Sequence, residues 1–476
     1  MINALRKSIE QKKLEFTKLD AKAIASLIVL TALILLIPFI FRTSNLLIGN
    51  ESYYFLRVAE NPIVMFDELS YGGRTYIFSL WPIIISVFSK ITTLSLMTSA
   101  KVISSLAGLI SAVLFYFILR KHFNTTISFI SSVILVLSPS FLYLFNTISD
   151  FGFVSLFFLL IFYLILRKNR LAFFLLLFIP LFGILHTIVM GILLIIYSFS
   201  RREFKWLYII PLFALAILTR ILVYGFPEIL LFDAPNTQVL VNLVSDFGSF
   251  GLSLFTLILS IFGFSLLWEE KYKNMPLYLS VVLLLFLMNF NIKVVLYLSF
   301  FISFIATLGI IKIINIEWES KKIRNAIFYI LIIGILFSFL TFFNDYYNQK
   351  PDDYIVESLE FLRKESNNND IILSHYSRGH WISYFSDRKN FMDANFVYAP
   401  DVNERFYDFQ ELINTRNLEK AEEIADKYSI DYIWLDNEIK DQLWDERDEG
   451  LQFLLSYSTK FKKIYNQNNI EIWRVE

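Results

Sequence analysis

Residues 76–91 read YIFSLWPIIISVFSKI, and whether this stretch crosses a bilayer decides how the rest of the chain is threaded. It is apolar but falls short of the roughly 20 residues that a membrane-spanning helix needs, and Pro82 interrupts it. Upstream, the leader carries Arg6, Lys7, Lys12, Lys13, Lys18 and Lys22, which places the N-terminus in the cytoplasm by the excess of lysine and arginine on inner loops. Downstream, basic clusters recur at Arg120 with Lys121, at Arg167–Arg170, in RREFK from Arg201, in EEKYK from Glu269, and from Lys312 to Arg324. All of them face the cytoplasm only if residues 76–91 stay on the outer side. The segment is therefore expected to be a re-entrant or interfacial helix inside a long first outer loop, residues 43–99.

The composition supports the frame. Hydrophobic residues make up 56% of the chain, with 50 phenylalanines, and charges are confined between apolar runs; this is the make-up of a multi-pass membrane protein. The formal net charge is zero, so overall charge points to no nucleic-acid partner and the electrostatics that matter are local. With no cysteine, disulfides, thiolate metal sites and cysteine nucleophiles are excluded. The first run, Ile24–Phe41, follows a charged leader without a small-residue cleavage site and reads as a retained signal anchor. Spans are expected near 24–41, 100–119, 125–145, 152–166, 171–185, 187–200, 206–224, 247–268, 275–290, 293–313 and 325–343, and the fifth and sixth are open to the alternative of one broken pair around His186. These eleven spans leave the C-terminus outside.

After Phe343 the composition turns polar. ESLEFLRKE and LEKAEEIADKY read as amphipathic helices, DIILS and DYIWL as strands, and KFKKIYNQNNIEIWRVE as a hairpin with an asparagine-rich turn. The expected architecture is an α-helical multi-pass domain, 1–343, followed by an extracytoplasmic α/β domain, 344–476. No low-complexity linker separates them, so the second domain is expected to dock on the first.

Three acids fall at the outer level of this topology: Glu51 in ESYYFLR, Asp150 in NTISDFGF and Asp233 in LLFDAPNTQ. Carboxylates from separate loops are a common way to collect oxygen ligands for magnesium or manganese beside a phosphate-bearing substrate. Two cations lie at outer helix ends, Arg220 and Lys293, where they can bind an anion or snorkel to headgroups. Tyr53 and Tyr54 suit an interfacial anchor or a sugar platform equally well.

These features, in order along the whole chain, resemble the catalytic subunits of oligosaccharyltransferases, within the wider GT-C class of membrane glycosyltransferases. ESYYFLR resembles the first-loop motif of that family, SPSFLYLFNTISDF the stretch ending in its second acidic motif, and FDAPNTQVLVNLVSDFG its fifth-loop segment. NIKVVLYLSFFISFIATLGI resembles the helix that the family opens with an arginine, and DIILSHYSRGHWISYFSDRKNFMDANF the start of its soluble domain. The resemblance implies a polyprenyl-linked sugar donor, a divalent metal (Mn or Mg) at its phosphate, and transfer to an acceptor on the outer face. It assigns Glu51 and Asp150 as metal ligands and catalytic acids, Asp233 as the acid that positions the acceptor, and Lys293 as a donor-phosphate ligand; Arg220 joins it as a donor-phosphate candidate by its charge at an outer helix end.

Two departures stand out. Gly152 occupies the place of a second acid in the family's DxD pair. HYSRG, His375–Gly379, replaces WWDYG, so only the glycine survives and the grip on an Asn-x-Ser/Thr acceptor is lost. His375, Tyr376 and Arg378 then imply an acceptor with an anionic or hydroxyl-rich group, such as a lipid or glycan. Two other readings stay open: a GT-C enzyme moving a single sugar from a polyprenyl monophosphate onto a lipid, glycan or protein, and a non-catalytic lipid-linked sugar flippase or assembly subunit. A transporter is expected to show mid-span polar residues or inverted repeats, and the sequence has few of the former and no internal repeat.

Overall fold

The structure, a computed structural model, describes residues 18–40, 46–63, 66–70, 73–75, 79–224, 244, 251–347, 349–396, 400–444 and 449–476. Each expected span coincides with apolar helix. The helices are Lys18–Ile40, Leu96–Arg120, Thr125–Val136 with Pro139–Asn146, Asp150–Leu166, Leu171–Leu176 with the 3₁₀ turn Ile179–Phe182, Ile184–Arg201, Ile210–Tyr224, Leu254–Leu267, Met275–Leu287, Val295–Asn315 and Lys321–Tyr347. Among the described residues, six helical stretches are individually long and apolar enough to cross a bilayer. The pair Thr125–Val136 and Pro139–Asn146, bent by 65°, makes a seventh if it is one span. The bend has a local cause: Pro139 brings no N–H to continue the ladder, and the Ser138 hydroxyl accepts from Phe141 N at 3.1 Å to start the helix again.

Three of the basic clusters gather at one end of the bundle. Arg167, Lys168, Arg201 and Glu203 all lie within electrostatic reach of Lys121, and the Lys121 ammonium donates to Leu166 O. At this end the carboxylate of Asp20, on the first helix, accepts from Tyr116 Oη at 2.6 Å, Arg120 Nε at 2.6 Å and Thr125 Oγ1 at 2.8 Å. One acid thus staples three helices together.

The α/β domain sits at the opposite end. Its sheet runs in the order Lys389–Asn390, Ile371–Leu373, Ile430–Leu435, Ile470–Val475, Phe461–Gln467. The first three strands are mutually parallel, with Ile371 opposite Lys389, and the last two join antiparallel, with Ile433 opposite Trp473. The expected helices and strands are all present, and Asn468 and Asn469 turn the final hairpin with φ of 51° and 63°, as a two-residue turn with two left-handed positions requires.

Three hydrophobic clusters form among the described residues. One fills the bundle, and a small one around Leu259, Ile310 and Ile335 lies beside it. The third joins the α/β domain to the segment between the helices Lys18–Ile40 and Leu96–Arg120: Trp434, Phe391 and Trp381 share it with Tyr53, Leu56, Trp81 and Ile85. The opening segment finds its place here. Its helix, Leu80–Thr92, has 13 residues, about 20 Å of rise against a hydrocarbon core of about 30 Å. Met275–Leu287 has the same length, but its Val281 and Leu284 pack in the bundle core, whereas Trp81 and Ile85 belong to the core shared with the α/β domain. The helix Leu80–Thr92 is built into the surface on which the α/β domain rests.

Candidate functional site

The two acid-bearing loops are fastened to each other. Ile48 and Thr147 form a parallel backbone bridge, and the buried hydroxyl of Ser52 donates to Ile48 O at 2.6 Å while accepting from Ile148 N at 3.0 Å. Glu51 and Asp150 then each enter the first turn of a helix, Asn50–Glu60 and Asp150–Leu166. Unpaired N–H groups and the helix dipole favour an anion at such positions.

Glu51 forms an ion pair with the ammonium of Lys293, and the two side chains remain 29% and 22% exposed. Lys293 stands in a single 3₁₀ turn, Ile292–Val294, before the helix Val295–Asn315. Its ammonium lies 5.8 Å from the centre of the Phe151 ring. Asp150 accepts from Ser79 Oγ at 2.7 Å and has the charges of Arg220, Glu51 and Lys293 within electrostatic reach. Arg220 donates to Pro180 O at 3.3 Å. Four of the residues singled out in the sequence therefore meet in one place, where the bundle faces the α/β domain. Asp233 lies outside the described residues.

Several neighbours were not singled out. Ser79 caps the helix Leu80–Thr92 and brings the supposed interfacial segment into contact with Asp150. Behind Phe151, Tyr297 Oη pairs with His186 Nδ1 at 2.7 Å, and the His186 ring stands edge-on to Phe151 at 4.7 Å. A histidine and a tyrosine inside apolar helices were the signal available, since intramembrane polar groups are costly unless they are used.

Packing explains the missing second acid. A Cβ at Gly152 would lie 2.1 Å from Leu144 O, so no side chain fits where the helices Asp150–Leu166 and Pro139–Asn146 cross. Among the described residues no three His, Cys, Asp or Glu side chains gather as a metal set. What the geometry offers a divalent ion is one or two carboxylates, that of Glu51 partly exposed, the manner in which magnesium is held when phosphate oxygens and water complete its shell.

The HYSRG segment forms a 3₁₀ turn, Tyr376–Arg378, followed by a helical turn, Gly379–Trp381. His375 Nδ1 pairs with Ser377 Oγ at 2.8 Å, and burial, with the nearby Arg378 charge, pulls the His375 pKa down to about 4. Arg378 is not free: its Nε donates to Asp436 at 2.9 Å, its Nη2 to Glu438, and its guanidinium lies over the Trp381 ring at 4.6 Å. The segment reaches the acids through the helix Asn50–Glu60, where Tyr54 packs on His380 with ring centres 5.0 Å apart.

No family model matches the sequence, and no curated protein matches it. Solved structures do match. The oligosaccharyltransferase of Archaeoglobus fulgidus, in a complex with Zn and sulfate, aligns over 94% of this chain and 73% of its own, with a TM-score of 0.62 at 13% identity. The arabinofuranosyltransferase AftD from Mycobacteria aligns over 98% of this chain and 40% of its own, with a TM-score of 0.58 at 10% identity. ArnT from Cupriavidus metallidurans, bound to undecaprenyl phosphate, aligns over 95% and 97% of the two chains, with a TM-score of 0.54 at 10% identity. The chain thus has the fold of GT-C membrane glycosyltransferases.

Proposed function

We propose that this chain is an integral membrane glycosyltransferase that moves a sugar or oligosaccharide from a polyprenyl phosphate or diphosphate to an acceptor on the extracytoplasmic face. The observation that carries this reading is the meeting of Glu51, Asp150, Lys293 and Arg220 at the junction of bundle and α/β domain. By the excess of basic residues on the opposite end, that junction faces outward and the N-terminus lies in the cytoplasm. The same orientation keeps Leu80–Thr92 on the outer side and makes residues 1–343 and 344–476 the membrane and extracytoplasmic domains.

Phosphate is the anion that a lysine and an arginine at an outer helix end suit. Lys293 holds the donor phosphate and stabilises the charge that builds on it as the sugar leaves; Arg220 contributes at longer range. Glu51, released from Lys293 when phosphate takes its place, and Asp150, oriented by Ser79, accept the acceptor's proton or fix its hydroxyl. Asp233 is assigned by resemblance to acceptor positioning. A bound Mn or Mg would neutralise donor phosphate charge, with Glu51 and Asp150 as its protein ligands. A structure of the oligosaccharyltransferase AglB from A. fulgidus is of a complex with an inhibitory peptide and a dolichol-phosphate, and a crystal structure of ArnT holds undecaprenyl phosphate; both support a lipid-phosphate donor.

The acceptor segment favours the reading in which a single sugar goes from a polyprenyl monophosphate to a lipid or glycan. With Arg378 engaged by Asp436 and Glu438, the surface left by His375 and Tyr376 suits hydroxyl groups better than an anion. The deciding experiment reconstitutes the purified protein with monophosphate- and diphosphate-linked sugars in separate vesicles and follows donor consumption. Consumption of one donor, lowered about a hundredfold or more by Glu51→Gln, is expected. If neither donor is consumed, or if Glu51→Gln is as active as the wild type, the assignment fails.

A further inference from the structure

Between the first outer loop and the α/β domain lies a buried set of charges that the proposed chemistry does not use. Arg57, in the last turn of the helix Asn50–Glu60, grips Asp67 with two hydrogen bonds of 2.6 and 2.7 Å. Ser70 Oγ lies 2.9 Å from Asp67 Oδ2 and 2.9 Å from Asp393 Oδ2, a residue 323 positions away. A hydroxyl has one proton, so it cannot satisfy both carboxylates; Arg74, 3.9 Å from each, supplies the remaining positive charge. Asp393 and His380 are fully buried and 3.6 Å apart. Backbone contacts repeat the fastening: Asn390 N donates to Leu69 O at 2.9 Å, and Ser70 bridges to Asn390 at the edge of the sheet. The surviving glycine of HYSRG also belongs here, since a Cβ at Gly379 would fall 2.2 Å from Met392 O and 2.6 Å from Asp393 Cα.

Apolar contact alone would dock the domain, and buried charges are costly where they only add stability. What they add is a fixed geometry. The helix clamped at Arg57 presents Glu51 at its other end, and the strand end that carries Asp393 lies against the Gly379 turn. We propose that Asp393 is a positioning residue of the transfer reaction: through Ser70, Asp67 and Arg57 it holds the Glu51 helix in register with the acceptor segment His375–Trp381. This rests on the reading of Glu51 as a catalytic acid.

The test combines Asp393→Asn, the milder Ser70→Ala, and each of them joined to Glu51→Gln, in the reconstituted full chain. Asp393→Asn should lower kcat by about tenfold to a hundredfold, the effect of a small misplacement. Added to Glu51→Gln it should cost almost nothing more, because both act on one group. Hydrogen exchange should quicken in residues 50–60 in both Asp393→Asn and Ser70→Ala, with the bundle helices unchanged. Losses that multiply in the double variant, or unchanged exchange in residues 50–60, overturn the proposal. If the wild type consumes neither donor, the functional reading fails by itself, and the exchange measurement still decides whether Asp393 fastens the helix.

Discussion

Asp20, buried, and Asp150, half-buried, are acids on bundle helices at opposite ends, and they are treated differently. Asp20, 1% exposed, receives hydrogen bonds from Tyr116, Thr125 and Arg120, so its lone pairs are taken up by the fold. Asp150 receives one from Ser79, and its neighbour Glu51 stays 29% exposed in its pair with Lys293. An acid that only staples helices is best saturated, because unsatisfied lone pairs in a dry interior cost free energy. An acid that must bind a substrate has to keep some of its capacity unused.

Substitution at each end turns the contrast into measurements. Glu51→Gln or Asp150→Asn should reduce transfer at least about a hundredfold, with the thermal midpoint in detergent moved little. Asp20→Asn should do the reverse. It breaks a buried ion pair at a cost of about 3 kcal/mol, lowering the melting midpoint while activity per folded molecule is kept; a loss of transfer without a stability change would erase the distinction. Gly152→Asp asks whether the site accepts the second acid that the resemblance to oligosaccharyltransferases would place there. Since the Cβ would strike Leu144 O, the expected result is destabilisation by about 1–3 kcal/mol with no gain in manganese affinity by calorimetry.

The smallest effect concerns pH. Burial holds His375 and His380 below the ordinary histidine range, with Arg378 adding to the shift of His375 and Asp393 opposing that of His380. The unfolded chain therefore takes up protons first, near pH 6.5, and docking stability is full above that value. It should fall as the pH drops from about 6.5 to about 4, seen as a lower midpoint for the α/β domain. Asp67 behaves differently. Burial raises its carboxyl pKa, but Arg57 and Arg74 outweigh burial and hold it below the usual range, so its contribution is complete above about pH 4 and is lost only in stronger acid. A midpoint flat from pH 7 to 4 would contradict the buried histidines.

Much of this architecture was legible in advance. Among the described residues the apolar runs anticipated the bundle helices, though not the 65° bend between Val136 and Pro139, because hydrocarbon admits only backbone that bonds to itself, and the alternation in DYIWL or the asparagines of the last turn encode local geometry. Of the five charged residues singled out, three acids in loops and two cations at helix ends, Glu51 pairs with Lys293 and both, with Arg220, come within electrostatic reach of Asp150; Asp233 lies outside the described residues. Position relative to the bilayer is a one-dimensional property, and a sequence records it directly. Partnership is not one-dimensional. That Lys293 pairs with Glu51, that Ser79 reaches Asp150, that Gly152 is pinned by Leu144 O and that Ser70 meets Asp393 all depend on which helix faces cross and how closely. Those distances are set by the packing of many apolar side chains at once, which no local pattern in the chain encodes.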